Sequence, residues 1–244
     1  MAEFFQHILN AIVLGGTYAL LGIGLTLIFG IMKVVNFTHG ELYSFGAYMV
    51  FMFSAMLGLN FFLAILLAMV LGVLLGGIIE FVLLRPLRGA NIDTTMLVMI
   101  GAWIAMQNLE QLSWGGVAKS VNHPFPLDPL VIGEVSVSWI RVFVFCFAVV
   151  LIVGSYYLIN HTKLGKSMRA TFQDRDCAAL MGVNINRVYT ATFALGSGLA
   201  ATAGALLGPV FVVTPTMGDM AALKAFAIVI LGGLGSIVGA TIGG

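Results

Sequence analysis

The chain has very few charged residues for its length. Charged side chains make up 9% of the 244 residues, whereas a soluble domain carries about 25%. Hydrophobic residues make up 60%, which leaves too few polar groups to cover a water-soluble fold. The composition therefore predicts an integral membrane protein, in which length counts membrane spans rather than soluble domains. Because the net charge is +1, no large basic surface indicates nucleic acid as a partner.

Cysteine and N-terminal basic residues are also scarce. Cys146 lies in an apolar run and Cys177 in a charged stretch, so they form neither a disulfide framework nor a metal-ligand spacing. The start, MAEFFQHILNAIV, contains no Lys or Arg. We therefore interpret the first apolar run as a retained span rather than a signal peptide. The four histidines have no metal-ligand spacing, and we expect them at membrane interfaces: His7, His39, His123 and His161.

Long uncharged runs are the main positive signal. Residues 42–79 carry no charge, which is too long for one span of about 20 residues. Leu57-Gly58-Leu59-Asn60 indicates a break in that run. Lipid offers no partner for backbone amides, so we predict an all-α, polytopic transmembrane bundle of about seven to eight membrane segments, one of them a candidate broken helix. The apolar segments are 8–32, 41–57, 61–84, 94–114, 142–162, 188–209 and 225–244.

The distribution of Lys and Arg predicts the orientation. Five basic residues lie in the loop at 161–187 and two in the loop at 85–93. The positive-inside rule places both loops in the cytoplasm and the loop at 115–138 outside. Three simple crossings before the loop at 85–93 would leave the N-terminus outside. The external loop contains three prolines, which suit a non-helical cap, and its charged residues are Lys119, Asp128 and Glu134.

A polar stretch, Val34-Val35-Asn36-Phe37-Thr38-His39-Gly40-Glu41, lies between the first two apolar segments. Ionisable groups at membrane depth cost about 2.5–3.5 kcal/mol on insertion scales and usually face a cavity or a partner. One interpretation is an interfacial loop that contacts water and headgroups. The other is a broken helix, as transporters use, with Glu41 near the start of its second half, where an acidic group is favourable.

The loop at 161–187 is long for a connection in a helical bundle. Residues 174–181 read as a short helix within it, with Asp174 as the N-cap and Gly182 as the terminator. A short helix across the cytoplasmic face is typical of a docking element. The basic residues alone would also fit a simple topology signal.

Four ordered blocks resemble the inner-membrane permease subunits of branched-chain amino acid ABC importers, and together they cover nearly the whole chain. The blocks are GGTYALLGIGLTLIFGIMKVVNFTHGELYSFGAY, LRPLRGA, QDRDCAALMGVNINRV with the following FALGSGLAATAGALLG, and LKAFAIVILGGLGSIVGA. The third block is similar to the Glu-Ala-Ala-x-x-x-Gly pattern of ABC permease coupling regions. It reads here Asp176-Cys177-Ala178-x-x-x-Gly182.

The resemblance implies a single transmembrane permease domain over 1–244, with 161–187 as its cytoplasmic coupling loop. The implied partners are a second related permease, two cytoplasmic ABC ATPase subunits, a periplasmic or extracellular substrate-binding protein and the lipid bilayer. The chain is expected to bind no cofactor and to have no catalytic or metal site, because ATP and Mg²⁺ would bind to the ATPase partners. The implied location is the inner (plasma) membrane of a bacterium or archaeon.

Two groups of site residues follow. The expected contacts with the ATPase are Asp174, Asp176, Ala178, Ala179, Leu180 and Gly182. The candidate residues for the translocation path are Asn36, Glu41 and Tyr43.

The substrate and the C-terminal end remain open in the sequence. Related permeases serve urea, short amides or other amino acids, so these are alternatives to branched-chain amino acids. A passive channel is a further alternative. Family members usually continue past the Gly-Gly-Leu-Gly-Ser block with another span, so the resemblance leads us to expect that a final span is missing from 1–244.

Overall fold

The apolar segments form long helices in the computed structural model, which describes residues 2–126, 128–132 and 135–244. Glu134, assigned above to the external loop, lies outside the described residues. The helices that match the apolar segments are α1 (Ala2–Met32), α2 (His39–Val50), α3 (Phe61–Ile79), α4 (Ile92–Trp114), α5 (Trp139–His161), α8 (Ile185–Leu207) and α9 (Met217–Gly232). Two of them continue as π-helix, α2 through Phe51–Met56 and α3 through Glu80–Leu84. The all-α class and the polytopic helical architecture are therefore confirmed.

The number of spans is lower than the predicted seven to eight when length and hydropathy are both required. Within the described residues, four helical stretches are long and apolar enough to cross a membrane: Gln6–Met32, Phe61–Leu84, Trp139–His161 and Ile185–Leu207. A fifth is counted if α9 and α10 (Ile237–Gly243), which meet at 119°, form one span. The α-helical part of α2 has only 12 residues, and α4 carries several polar side chains in its second half, so these two segments fall outside that count.

The break within the long uncharged run lies where the sequence predicts it. Gly58 has a φ of +65°, which a glycine adopts without strain. The side chain of Asn60 then accepts a hydrogen bond from the Phe62 backbone N–H at 2.9 Å and caps the start of α3. The run is therefore two helices joined by a tight turn.

A small hairpin interrupts the all-helical pattern in the proline-rich loop at 115–138. Strands β1 (Leu130–Ile132) and β2 (Val135–Val137) pair antiparallel, with Val131 opposite Ser136. Lys119, earlier in the same loop, exchanges two backbone hydrogen bonds with Val213 after α8. This loop therefore forms a largely non-helical cap over one end of the bundle, as the prolines indicate.

Helix α8 lies at the centre of the bundle, where small residues let the neighbouring backbones approach. A Cβ added to Gly72 of α3 would lie 2.3 Å from the Ala201 Cβ. On the other side, a Cβ on Gly204 would lie 1.8 Å from the Tyr43 carbonyl oxygen of α2. Close approach through small residues is the usual packing mode of membrane helices, because lipid gives no hydrophobic driving force between them.

The loop at 161–187 contains more helix than the sequence predicts. Helix α6 (Lys163–Gln173) starts directly after α5, and the shorter α7 (Arg175–Leu180) follows it. Met168 of α6 is fully buried. The ring of Phe172, also in α6, packs against Gly30 of α1 and against Gly235 in the turn between α9 and α10. The loop is thus anchored to the bundle along α6 and presents α7 beyond it.

Candidate functional site

Helix α2 begins beside the middle of α1 rather than at its end. The His39 Nε2 atom lies 2.9 Å from the carbonyl oxygen of Leu21. Leu21 precedes the last residue of α1, Met32, by eleven positions, or about 16 Å along the helix axis. Residues 33–38 therefore return into the bundle, and His39 is fully buried. The interpretation as an interfacial loop is wrong, as is the interfacial position expected for His39, because the polar stretch starts a helix inside the protein.

Helix α9 begins at the same place. A Cβ on Gly40 would lie 2.2 Å from the Gly218 carbonyl oxygen, and a Cβ on Gly218 would lie 2.7 Å from that of Gly40. Further along α9, the Phe226 ring centroid is 5.7 Å from that of Phe37, which precedes α2. The start of α9 therefore contacts the start of α2, whereas a later part of α9 contacts the segment that precedes α2. The two helices start side by side and then run in different directions.

The two helix starts share a sequence pattern of threonine, any residue, glycine and an acid. The first copy is Thr38-His39-Gly40-Glu41 and the second is Thr216-Met217-Gly218-Asp219. Transporters built from inverted repeats place their sites where the starts of such broken helices meet within the membrane. The acid in the first turn of each helix interacts favourably with the positive end of the helix dipole.

The acids of the two helix starts meet a shared donor on α4. The Trp103 indole nitrogen lies 3.1 Å from Glu41 Oε1 and 3.2 Å from Asp219 Oδ1, within hydrogen-bond distance of both. The Gln107 side-chain amide also donates to Asp219, at 3.2 Å to Oδ1 and 3.1 Å to Oδ2. We call these four residues the polar junction. It connects α2, α4 and α9 through side chains alone.

A second buried acid, Glu110 of α4, contacts α2 further along both helices. The Ser44 hydroxyl of α2 donates to Glu110 Oε2 of α4 at 2.5 Å. Both residues are buried. Glu110 Oε1 and the hydroxyl of Tyr48, one turn after Ser44, have no hydrogen-bond partner among the described residues. Residues 41, 44 and 48 therefore form a polar stripe on the face of α2 that meets α4.

Of the three predicted path residues, only Glu41 belongs to the polar junction. Asn36 is fully buried, but its Oδ1 accepts hydrogen bonds from the Thr38 N–H at 3.1 Å and the Thr38 hydroxyl at 2.6 Å. It therefore holds the turn before α2. Tyr43 is buried where its backbone meets Gly204. A path role for either of these two residues stays a prediction.

The short helix α7 has the caps that the sequence predicts. Asp174 Oδ1 accepts hydrogen bonds from the backbone N–H groups of Asp176 and Cys177, each at 2.9 Å. The Cys177 N–H holds the pKa of the Asp174 carboxyl below its usual range. At the other end, Gly182 has a φ of +85°. Both predictions about the bounds of this helix are confirmed.

The predicted ATPase contacts differ in exposure. Leu180 is 87% exposed, and Asp174, Asp176, Ala179 and Gly182 are also exposed. Ala178 is 5% exposed and packs inside the chain, so a direct contact with a partner does not fit this residue in this conformation. Met181, which was not among the predicted contacts, is 84% exposed beside Leu180. The outward face of α7 is therefore largely apolar at its C-terminal end.

A network of polar side chains connects α7 to the bundle. The guanidinium of Arg175, the first residue of α7, lies 5.8 Å from the centre of the Tyr189 ring, and that of Arg88 lies 5.0 Å from it. Arg88 also pairs with the buried Glu80 of the α3 extension. Glu80 accepts a second hydrogen bond, at 2.5 Å, from Thr190 of α8. Displacement of α7 would therefore act on both α3 and α8.

Sequence reasoning missed three members of the polar junction: Trp103, Gln107 and Asp219. Asp219 was outside every predicted apolar segment, because the last of these was taken to start at residue 225 whereas α9 starts at Met217. The repeated threonine–glycine–acid pattern was the available signal. Trp103 and Gln107 lie one helical turn apart on α4, but nothing in the sequence distinguishes them from other polar residues of that helix.

The hydrogen bond between Ser44 and Glu110 gives a direct test of the polar stripe. Replacement of Ser44 by Ala leaves both carboxyl oxygens of a buried acid without a partner, so we expect a loss of about 1–3 kcal/mol in the free energy of unfolding. Ser54→Ala is the matched control, because Ser54 is only half-buried and its 3.3 Å hydrogen bond to the Asn122 carbonyl oxygen is long. Denaturant unfolding in detergent measures both variants. Equal stabilities would contradict the assigned contact.

Comparisons of the amino-acid sequence with known proteins identify a family. Residues 7–244 match the family described as the permease component of branched-chain amino acid transport systems. The chain is 35% identical to the high-affinity branched-chain amino acid transport system permease protein BraD of Pseudomonas aeruginosa, over 99% of the chain and 83% of the relative. It is also 35% identical to the permease protein LivH of Escherichia coli K12, over 99% of the chain and 82% of the relative.

A more distant relative comes from an archaeon. The probable branched-chain amino acid transport permease protein LivH of Methanocaldococcus jannaschii is 30% identical over 96% of the chain and 76% of its own length. No solved structure gives a significant match. The family match over nearly all residues and the identities of 30–35% show that the chain belongs to the family of branched-chain amino acid transport permease components.

Proposed function

We propose that the chain is the membrane-spanning permease subunit of an ABC importer and forms part of the translocation path for branched-chain amino acids. The observation that carries the proposal is the 35% identity, over 99% of the chain, to permeases named for this transport. The proposed location is the inner membrane of a bacterium or archaeon. The chain itself has a transport role rather than a catalytic one.

Helix α7 supports a mechanical connection to ATPase partners. Leu180 and Met181 are both more than four-fifths exposed at the end of this helix. Exposed apolar side chains on a short capped helix fit a hydrophobic groove of a partner. Arg175 at the other end of the same helix packs on Tyr189 of α8. Motion of the docked helix can therefore be transmitted to the centre of the bundle.

The proposed assembly contains a second related permease, two ATPase subunits that bind ATP and Mg²⁺, and an external substrate-binding protein. ATP binding would close the ATPase dimer and displace α7. Transport then requires that the contacts of α7 differ between the closed and open ATPase states, because a ligand shifts an equilibrium only through such a difference. A passive channel would need no helix of this kind.

The substrate class is tested by competition. The chain is assembled with its partner subunits in proteoliposomes, and uptake of labelled leucine is measured with an excess of unlabelled competitor. We expect isoleucine and valine to compete and urea or acetamide at equal concentration to have no effect. Competition by urea or acetamide, with none by isoleucine or valine, would assign the chain to the alternative substrates.

Coupling is tested at Gly182. No atom of another residue lies within 4 Å of an added Cβ, so only the φ of +85° restricts this position. A β-branched residue there is strained by about 1–3 kcal/mol, whereas Asn tolerates the left-handed region. We expect Gly182→Val to reduce leucine uptake per ATP hydrolysed and Gly182→Asn to retain it. Normal coupling in an assembled Gly182→Val transporter would rule out a docking role for α7.

A further inference from the structure

The polar junction contains a buried oxygen atom without a partner. Glu41 is fully buried, and its Oε2 has no hydrogen bond among the described residues, although Oε1 is bonded to Trp103. A buried polar atom left unpaired costs about 1–3 kcal/mol. Such an atom persists where a ligand completes its hydrogen bonding. Glu41 Oε2 is thus a free acceptor in an otherwise satisfied cluster.

In the part of the chain that the structure describes, neither carboxyl group of the junction forms a salt bridge. Both Glu41 and Asp219 lie within 3.2 Å of one indole nitrogen, which is neutral. The helix starts of α2 and α9 add only partial positive charge. Two acids this close repel each other strongly where the dielectric constant is low. A single positive charge beside them would remove that repulsion.

We propose that Glu41 and Asp219 bind the primary ammonium group of the transported amino acid inside the membrane. An ammonium group has three N–H donors and no acceptor, which matches a site of carboxyl oxygens with one free lone-pair position. A bound metal ion fits less well, because hard cations require a shell of oxygen ligands. Here Trp103 and Gln107 place N–H groups against the same oxygens.

The inference rests on the proposed function, since it assigns the site to that transporter's substrate. It explains why the two helix starts carry acids instead of neutral caps. It also assigns a role to Trp103 and Gln107, which position the two carboxyl groups and leave Glu41 Oε2 free. A substrate ammonium at this point would lie where α2 and α9 diverge.

Carbodiimide labelling tests the site in the assembled transporter. Dicyclohexylcarbodiimide modifies carboxyl groups in apolar surroundings, and mass spectrometry of peptides locates the label. The probe is 3-methylbutylamine hydrochloride, which carries the ammonium and a branched chain but no carboxylate. We expect it to reduce labelling of Glu41 about tenfold, the change expected from occupancy worth about 1.4 kcal/mol. Equal concentrations of sodium 4-methylpentanoate or sodium chloride should leave the labelling unchanged.

Glu110 is the internal control, because it too is buried with one bonded and one unpaired carboxyl oxygen, but its donor is the Ser44 hydroxyl rather than a group shared with a second acid. Its labelling should not respond to the amine. Asp219→Asn should abolish protection of Glu41 while Glu41 is still labelled. Four results would each overturn the proposal. They are protection of Glu41 by sodium chloride, equal protection of Glu110 by the amine, Glu41 labelling that the amine does not reduce, and no labelling of Glu41 at all.

A transport measurement separates this inference from the proposed function. Asp219→Asn in an assembled transporter should raise the half-saturating leucine concentration at least about tenfold, because one of the two carboxylates that hold the ammonium group is lost. An unchanged value would overturn the ammonium site while leucine import stands. The reverse result is also distinguishable. If the amine protects Glu41 from labelling in the wild-type transporter, but that transporter imports no branched-chain amino acid, the site stands and the proposed function fails.

Discussion

The start of a helix inside a membrane leaves backbone N–H groups without water to bind them. Two helices of this chain, α2 and α9, begin in this way. Neither Thr38 nor Thr216 provides a side-chain cap. Turn hydrogen bonds from His39 N–H to the Asn36 carbonyl oxygen and from Met217 N–H to that of Thr214 satisfy part of each start, and the two starts lie against each other.

This contact depends on glycine in both helices. The carbonyl oxygen of each glycine, Gly40 and Gly218, occupies the space in which the other's Cβ would lie. The acids that follow them, Glu41 and Asp219, then face a common donor on α4. The small residues along α8 allow the rest of the bundle to close around this point. The close approach of the two helix starts therefore concentrates acidic groups in the interior of a transporter.

The sequence predicts much of the helical framework because membrane spans require long apolar runs. All seven predicted segments correspond to helices, and the caps of α7 follow from Asp174 and Gly182. The junction is different, because contact between α2 and α9 joins residues about 180 positions apart and depends on packing rather than local propensity. Its position beside a long apolar run identified Glu41 as a costly ionisable group, but nothing in that pattern identified Asp219 as its neighbour.

The most direct test of this account is whether residue 37 lies inside the bundle beside α9. Phe37→Cys and Phe226→Cys are combined in a chain in which the exposed Cys146 and Cys177 are replaced by Ser. We expect a short bifunctional maleimide to form an intramolecular cross-link in the double variant. We also expect that a membrane-impermeant maleimide does not label the variant with Phe37→Cys alone. Lys33→Cys, at an exposed position just after α1, should be labelled as a control. Labelling of position 37 to the same extent as position 33, without a cross-link to position 226, would contradict this account.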